Sequence, residues 1–166
     1  MPDRLASFAS LDTPIGRLWL SGTDAGLLAI TRSSGPEPLL AELDRRRWSA
    51  AADPEALSVA LREVDRYFAG TLRAFGVPLD VREVSTFDAA AYRAAMAIPY
   101  GSTASYGEVA AMAGAPRAAR AVGGAMARCP LFPVVPCHRV IHADGSIQGW
   151  GRDLWVKRWL LAHELA

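Results

Sequence analysis

The alternation of apolar and polar side chains over the first 32 residues constrains this chain more than any other feature. Ser7-Phe8-Ala9-Ser10-Leu11 and Gly16-Arg17-Leu18-Trp19-Leu20-Ser21 repeat with the period of two that belongs to strands. Asp12-Thr13-Pro14-Ile15 between them carries turn chemistry, and Thr23-Asp24-Ala25-Gly26 does the same before Leu27-Leu28-Ala29-Ile30-Thr31. This order predicts a three-stranded antiparallel meander. Helical spacing follows it. Pro36 and Pro38 stand near the start of a helix through Leu39, Leu40 and Leu43. Asp53-Pro54-Glu55 predicts an N-cap with proline in the first turn, and Leu57, Leu61, Val64 and Phe68 then recur at helical spacing until Gly70. Val77-Pro78-Leu79-Asp80-Val81 is expected as an edge strand, and nothing in this first part has a catalytic pattern.

The remainder reads as mostly helical. Ser85 or Thr86 can cap a helix through Phe87, Tyr92 and Met96, ended by the turn Ile98-Pro99-Tyr100-Gly101. A short helix over residues 105–113, then Gly114-Ala115-Pro116, then a longer helix over 117–127 make a helix-turn-helix pattern. Alanine and glycine occupy so much of the longer helix that its surface is nearly bare, apart from Arg117 and Arg120. Gly123 and Gly124 inside it each cost about 1 kcal/mol relative to alanine. Close helix packing would explain them, and so would close approach to an outside backbone such as a nucleic-acid groove. A last helix is expected to turn Leu154, Trp155, Trp159, Leu160 and Leu161 toward its buried side. The fold class is therefore α+β. A small N-terminal antiparallel-sheet domain with helices spans residues 1–84, and a mostly helical C-terminal domain with the helix-turn-helix spans 85–166.

Composition narrows the function classes. With 166 residues, 51% hydrophobic and 21% charged, the chain can build a real core. No apolar run approaches the roughly 20 residues that cross a bilayer, and no signal-type block follows Met1-Pro2-Asp3-Arg4. A cytoplasmic protein without membrane contact is expected. Residues 1–84 carry 10 basic and 12 acidic side chains, whereas residues 85–166 carry 8 and 5. From Tyr106 to Arg139 the only acid is Glu108, against Arg117, Arg120, Arg128 and Arg139, a weak pointer to an anionic partner. Cys129 and Cys137 make no secreted disulfide framework and are expected as free thiols. Three histidines give no structural-zinc spacing.

Cys137 is the candidate nucleophile. It lies between Pro133-Val134-Val135-Pro136 and His138-Arg139-Val140-Ile141, where prolines stiffen the approach and can hold it at the floor of a pocket. A buried cysteine without such neighbours is usually an inert small hydrophobe. An adjacent histidine changes that balance, because a thiol becomes a nucleophile when something takes its proton. Neighbouring side chains in extended chain seldom face one another, so a bridging water would join Cys137 to His138. A carboxylate to orient the imidazole must come from elsewhere, and Glu164 is one candidate that spacing alone does not select.

Pro136-Cys137-His138-Arg139-Val140 resembles the active-site signature of the O6-alkylguanine-DNA alkyltransferases, also called methylated-DNA–protein-cysteine methyltransferases. The resemblance runs from about Thr86 to Glu164. It takes in Ile98-Pro99-Tyr100-Gly101, Ser105-Tyr106-Gly107, the segment from Ala118 to Met126, and Trp159-Leu160-Leu161-Ala162-His163-Glu164, in the family's order. It implies a ribonuclease-H-like fold for residues 1–84. It also implies direct reversal of alkylation damage in DNA: one alkyl group passes irreversibly from O6-alkylguanine to Cys137, with O4-alkylthymine a second substrate that the family allows. His138 would deprotonate Cys137 through water and Glu164 would hold the histidine tautomer. Tyr106 would donate a proton or a hydrogen bond to guanine N3 as the base leaves. The backbone at Cys137 and Val140 would read the guanine amino group, with Trp150 and Gly151 at the pocket. Arg120 would replace the extruded nucleotide, and Ala118, Ala119, Ala121 and Gly123 would let the second helix enter the minor groove of double-stranded DNA. No cofactor and no metal are implied, and the protein would act as a monomer.

Three departures bear on substrate range. Cys129-Pro130 stands where the family usually has Asn-Pro, whose amide ties the DNA-reading helix to the site, and a thiol cannot replace those hydrogen bonds. Trp150-Gly151-Arg152-Asp153 replaces an aromatic followed by small residues, and Arg152 can contact phosphate, narrow the pocket or pair with Asp153. Phe87-Asp88-Ala89-Ala90-Ala91-Tyr92 is less polar than the family's helix start. The main competing reading is a sensor that binds alkylated DNA without transfer; retention of Cys137 speaks against it. A helix-turn-helix regulator would need long polar side chains on the second helix for major-groove readout. A cysteine hydrolase would need an oxyanion motif, and none is present.

Overall fold

The computed structural model describes residues 4–166. The chain forms two compact units, Met1–Arg82 and Glu83–Ala166.

In the first unit β1 (Leu5–Thr13), β2 (Gly16–Thr23) and β3 (Gly26–Arg32) form the antiparallel meander. The Thr13 hydroxyl closes the first turn, accepting from the Ile15 N–H at 3.2 Å and donating to the Gly16 carbonyl at 2.6 Å. Gly26 adopts φ +139°, and a Cβ there would collide with the Pro78 carbonyl, so only glycine serves. α1 (Glu37–Arg45) lays Leu39 and Leu43 on Ala6, Leu28, Ala29 and Trp48. A fourth strand, β4 (Ser49–Ala52), lies parallel beside β1, giving the order β3-β2-β1-β4. No strand is expected from the sequence at 49–52, and the parallel pairing of β4 with β1 makes the sheet mixed. Ser-Ala-Ala-Ala has no alternation to betray a strand; backbone bonds hold its ends, from Ser49 N–H to the Arg4 carbonyl at 2.8 Å and from Asp53 N–H to the Phe8 carbonyl at 3.0 Å.

α2 (Ser58–Phe68) begins later than Asp53 predicts. The Asp53 carboxylate accepts from the Ala56 N–H at 3.0 Å and caps a turn rather than the helix. The expected edge strand at 77–81 reduces to one bridge between Leu27 and Leu79. Proline at 78 has no N–H to extend the ladder.

In the second unit Ser85 caps α3 (Thr86–Met96), its side chain accepting from the Asp88 N–H at 3.1 Å. β5 (Ala104–Ser105) runs parallel to β6 (Val140–Ile141) and leads directly into α4 (Tyr106–Met112). A capping box starts α4: Ser105 Oγ accepts from the Glu108 N–H, and the Glu108 carboxylate accepts from the Ser105 N–H at 2.7 Å. α5 (Ala119–Arg128) starts two residues later than expected and buries Val122, Ala125 and Met126. The buried Tyr92 hydroxyl of α3 donates to the Ala125 carbonyl at 3.0 Å. α6 (Leu154–Leu165) buries Val156, Lys157, Leu160 and Glu164. Trp155 was expected inside and is instead 47% exposed, because the buried stripe runs through 156, 157, 160 and 164 and leaves it off the face. No helix among the described residues is long and apolar enough to cross a membrane.

Candidate active site

Cys137, His138 and Arg139 share one turn of 3-10 helix, and all three are buried. The turn follows a segment whose Leu131, Val134 and Val135 are also buried. Pairing of β6 with β5 ties the residues after this turn to the start of α4, and so brings Tyr106 to the same place.

Glu164 organises the back of the site from α6. One carboxylate oxygen lies 2.7 Å from His138 Nε2 and accepts from Arg139 Nη2 at 2.8 Å. The other accepts from Arg139 Nε at 2.9 Å and from the Gly101 N–H at 3.2 Å. Arg139 also donates through Nη1 to the Ile98 carbonyl at 2.8 Å. A carboxylate so surrounded compensates two buried cationic or polar neighbours at once, which a buried ion pair needs in order to be tolerated. Burial lowers the pKa of His138, and the neighbouring Arg139 and Lys157 charges add to that, although the Glu164 contact opposes them. The imidazole is thereby held neutral and able to accept a proton.

Lys157 is fully buried, two turns before Glu164 on the same face of α6. Its ammonium donates to the Val140 carbonyl at 2.8 Å and lies 6.0 Å from the Tyr106 ring. Burial lowers its pKa, opposed by the Cys137 sulfur. The Cys137 thiol is pushed well above the usual thiol range, first by the Cys129 side chain set against it and then by burial. The Lys157 charge pulls it down without prevailing. At rest, therefore, Cys137 is a protonated thiol. Burial also raises the Tyr106 phenol, with the Cys137 sulfur adding to it, so Tyr106 keeps a proton to give.

Among the residues singled out from the sequence, Cys137, His138, Glu164, Tyr106 and Val140 gather here. Tyr106 reaches α5 as well: a Cβ on Gly123 would lie 3.9 Å from its ring. Trp150 lies in the left-handed region, φ 64°, between Gly149 and Gly151 at 79° and 48°. Its ring meets Phe132 edge-on with centroids 5.3 Å apart. Arg120 and Ala121 are exposed on α5, whereas Ala118, Ala119 and Gly123 are half-buried. Arg152 is exposed. The sequence reading missed Lys157, Arg139 and the Gly101 amide. Lys157 has no signal of its own in the sequence, because Arg158 follows it directly and His163 lies further along the same helix.

Comparison with known proteins assigns the chain. The family described as 6-O-methylguanine DNA methyltransferase matches twice, its ribonuclease-like domain over residues 7–81 and its DNA binding domain over residues 86–166. A methylated-DNA–protein-cysteine methyltransferase from Mycolicibacterium paratuberculosis is 42% identical over 160 residues, covering 96% of this chain and 93% of that one. The crystal structure of Mycobacterium tuberculosis O6-methylguanine methyltransferase superposes with a TM-score of 0.81 at 41% identity, covering 96% of this chain and 92% of that one. Another crystal structure, of Mycobacterium tuberculosis OGT in complex with DNA, gives a TM-score of 0.79 at 37% identity, covering 96% and 93%. The chain belongs to the 6-O-methylguanine DNA methyltransferase family.

Proposed function

We propose that this protein repairs O6-alkylguanine in double-stranded DNA by taking the alkyl group onto Cys137, once per molecule. The observation that carries this reading is the buried His138–Glu164 pair, 2.7 Å apart, immediately beside a buried thiol. Nε2 of His138 is committed to Glu164, so the buried Nδ1 is the nitrogen that takes the thiol proton through water. The Cys137 sulfur then attacks the alkyl carbon. A C–S bond forms, the C–O6 bond breaks, and its electron pair moves into the guanine ring. Tyr106, still protonated, gives a proton to N3 and the base leaves neutral. Lys157, beside both Cys137 and Tyr106, stabilises negative charge on sulfur before attack. The thioether formed has no ordinary route back to the thiol.

The relatives' names and the DNA-bound M. tuberculosis structure support DNA as the partner. α5 supports a minor-groove approach, because neither of its glycines serves internal packing. A Cβ on Gly123 makes only ordinary contact with Tyr106, and one on Gly124 meets only the far end of Arg128. Glycine at both positions therefore fits a helix that lies close to something outside the chain. Arg120, exposed on that helix, is the side chain to fill the place of an extruded base.

The raised Cys137 thiol favours one other reading, recognition of damage without transfer. Intact mass decides between them. With an oligonucleotide containing O6-methylguanine, the protein gains about 14 Da at the peptide bearing Cys137 and the Cys137→Ser variant gains nothing. Tight binding with unchanged mass would sink the transfer reading.

A further inference from the structure

Transfer gives no task to Cys129. It terminates α5, its N–H donating to the Met126 carbonyl at 3.3 Å, and is half-buried where Cys137 is only 4% exposed. The eight residues that follow return the chain on itself. The Val135 N–H donates to the Leu131 carbonyl at 2.9 Å, and the Cys137 N–H donates to the Val135 carbonyl at 2.8 Å. This turn sets the Cys129 side chain against the Cys137 thiol, with the Tyr92 phenol near both. No group of three His, Cys, Asp or Glu side chains that could hold a metal ion gathers among the described residues.

We propose that Cys129 and Cys137 form a dithiol couple, in which a peroxide entering at Cys129 closes a disulfide onto Cys137. The Cys129 sulfur attacks the peroxide: an S–O bond forms, the O–O bond breaks and one water leaves, giving a sulfenic acid. The Cys137 sulfur then attacks the sulfenic sulfur. An S–S bond forms, the S–O bond breaks, and the hydroxyl leaves as a second water with the Cys137 proton. Two thiols lose two electrons and the peroxide is reduced to two waters. The short intervening loop gives the second thiol a high effective concentration. The product withdraws the acceptor from reaction, yet spares it sulfinic and sulfonic oxidation, which thiols do not reverse. A thiol reductant reopens it by exchange.

The couple concerns the acceptor of the proposed reaction, but its formation is read without any alkylated DNA, so its failure and that of the transfer reading are told apart. The full chain is treated with hydrogen peroxide and analysed unreduced. The expected product is about 2 Da lighter and yields one peptide linking Cys129 to Cys137. Dithiothreitol restores its mass and returns alkyl transfer to near the untreated level. In Cys129→Ser, or Cys129→Ala should serine disturb folding, the same treatment adds about 32 Da at Cys137, and transfer stays lost relative to that variant's own untreated activity. Oxidation of Cys137 in the wild type without the internal crosslink would overturn the proposal, as would a crosslink between molecules or equal recovery in both proteins.

Discussion

Glu164 receives Arg139 through two nitrogens, the Gly101 amide and the His138 ring, all on two oxygens. Glu164→Gln keeps the volume and removes the charge, leaving Arg139 buried without its counter-ion. Urea unfolding should record a loss of about 3–5 kcal/mol, and transfer should slow with it. A variant of unchanged stability would show that Glu164 does not organise the site. His138 gives a pH test. Its folded pKa lies below the unfolded value because burial disfavours the charged ring. Between the two values the unfolded chain binds more protons, so the stability His138 contributes is whole above the unfolded pKa and is lost as pH falls toward the folded one. The melting temperature should accordingly fall below about pH 6.5, and His138→Gln should remove that part of the decline. An unaltered pH profile in the variant would contradict the buried, neutral ring.

α5 trades stability for approach. Gly123→Ala adds a methyl in ordinary contact with the Tyr106 ring, and Gly124→Ala displaces the end of Arg128, whose guanidinium pairs with Asp88 at 3.0 Å on an exposed flank. Each should raise stability by up to about 1 kcal/mol. Both should weaken repair of duplex DNA while leaving reaction with the free alkylated base intact. Equal effects on the two substrates would return the glycines to a role in packing. Arg120→Ala is expected to divide the substrates in the same direction, with duplex repair slowed far more. The elements that were legible in advance are those whose signal is local: the alternation of β1 to β3, the Ser85 cap and the turn before α5. β4 and the true start of α2 were not, because the first rests on backbone pairing with β1 and the second on a carboxylate diverted to a turn.

Every candidate catalytic side chain comes from the unit after residue 82, while the first unit keeps its own fastenings. Asp80 is one. It accepts from Arg82 and Thr23, and the Arg82 hydrogen bond chiefly lowers its pKa to about 2. Asp80→Asn should cost about 1–2 kcal/mol after allowance for the exposed arginine. That loss should shrink in the wild type's disfavour as pH falls from about 4 toward 2, where the native carboxylate is itself protonated. A pH-independent difference would show that charge is not what Asp80 supplies. The nucleophile and its histidine could be read from adjacent letters. Arg139 could not, because its partner is 25 residues away in sequence, and Lys157 is distinguished only by the depth at which α6 holds it. That depth has a consequence for Cys137. At 4% exposed, Cys137 turns almost none of its surface outward, so an alkyl group on it must be taken in among its neighbours. Overpacking of this kind costs about 1–3 kcal/mol. The used protein should thus melt lower than the fresh one, by several degrees for a methyl group and more for a larger alkyl. Spent molecules would then carry a shorter lifetime, written into their own folding equilibrium.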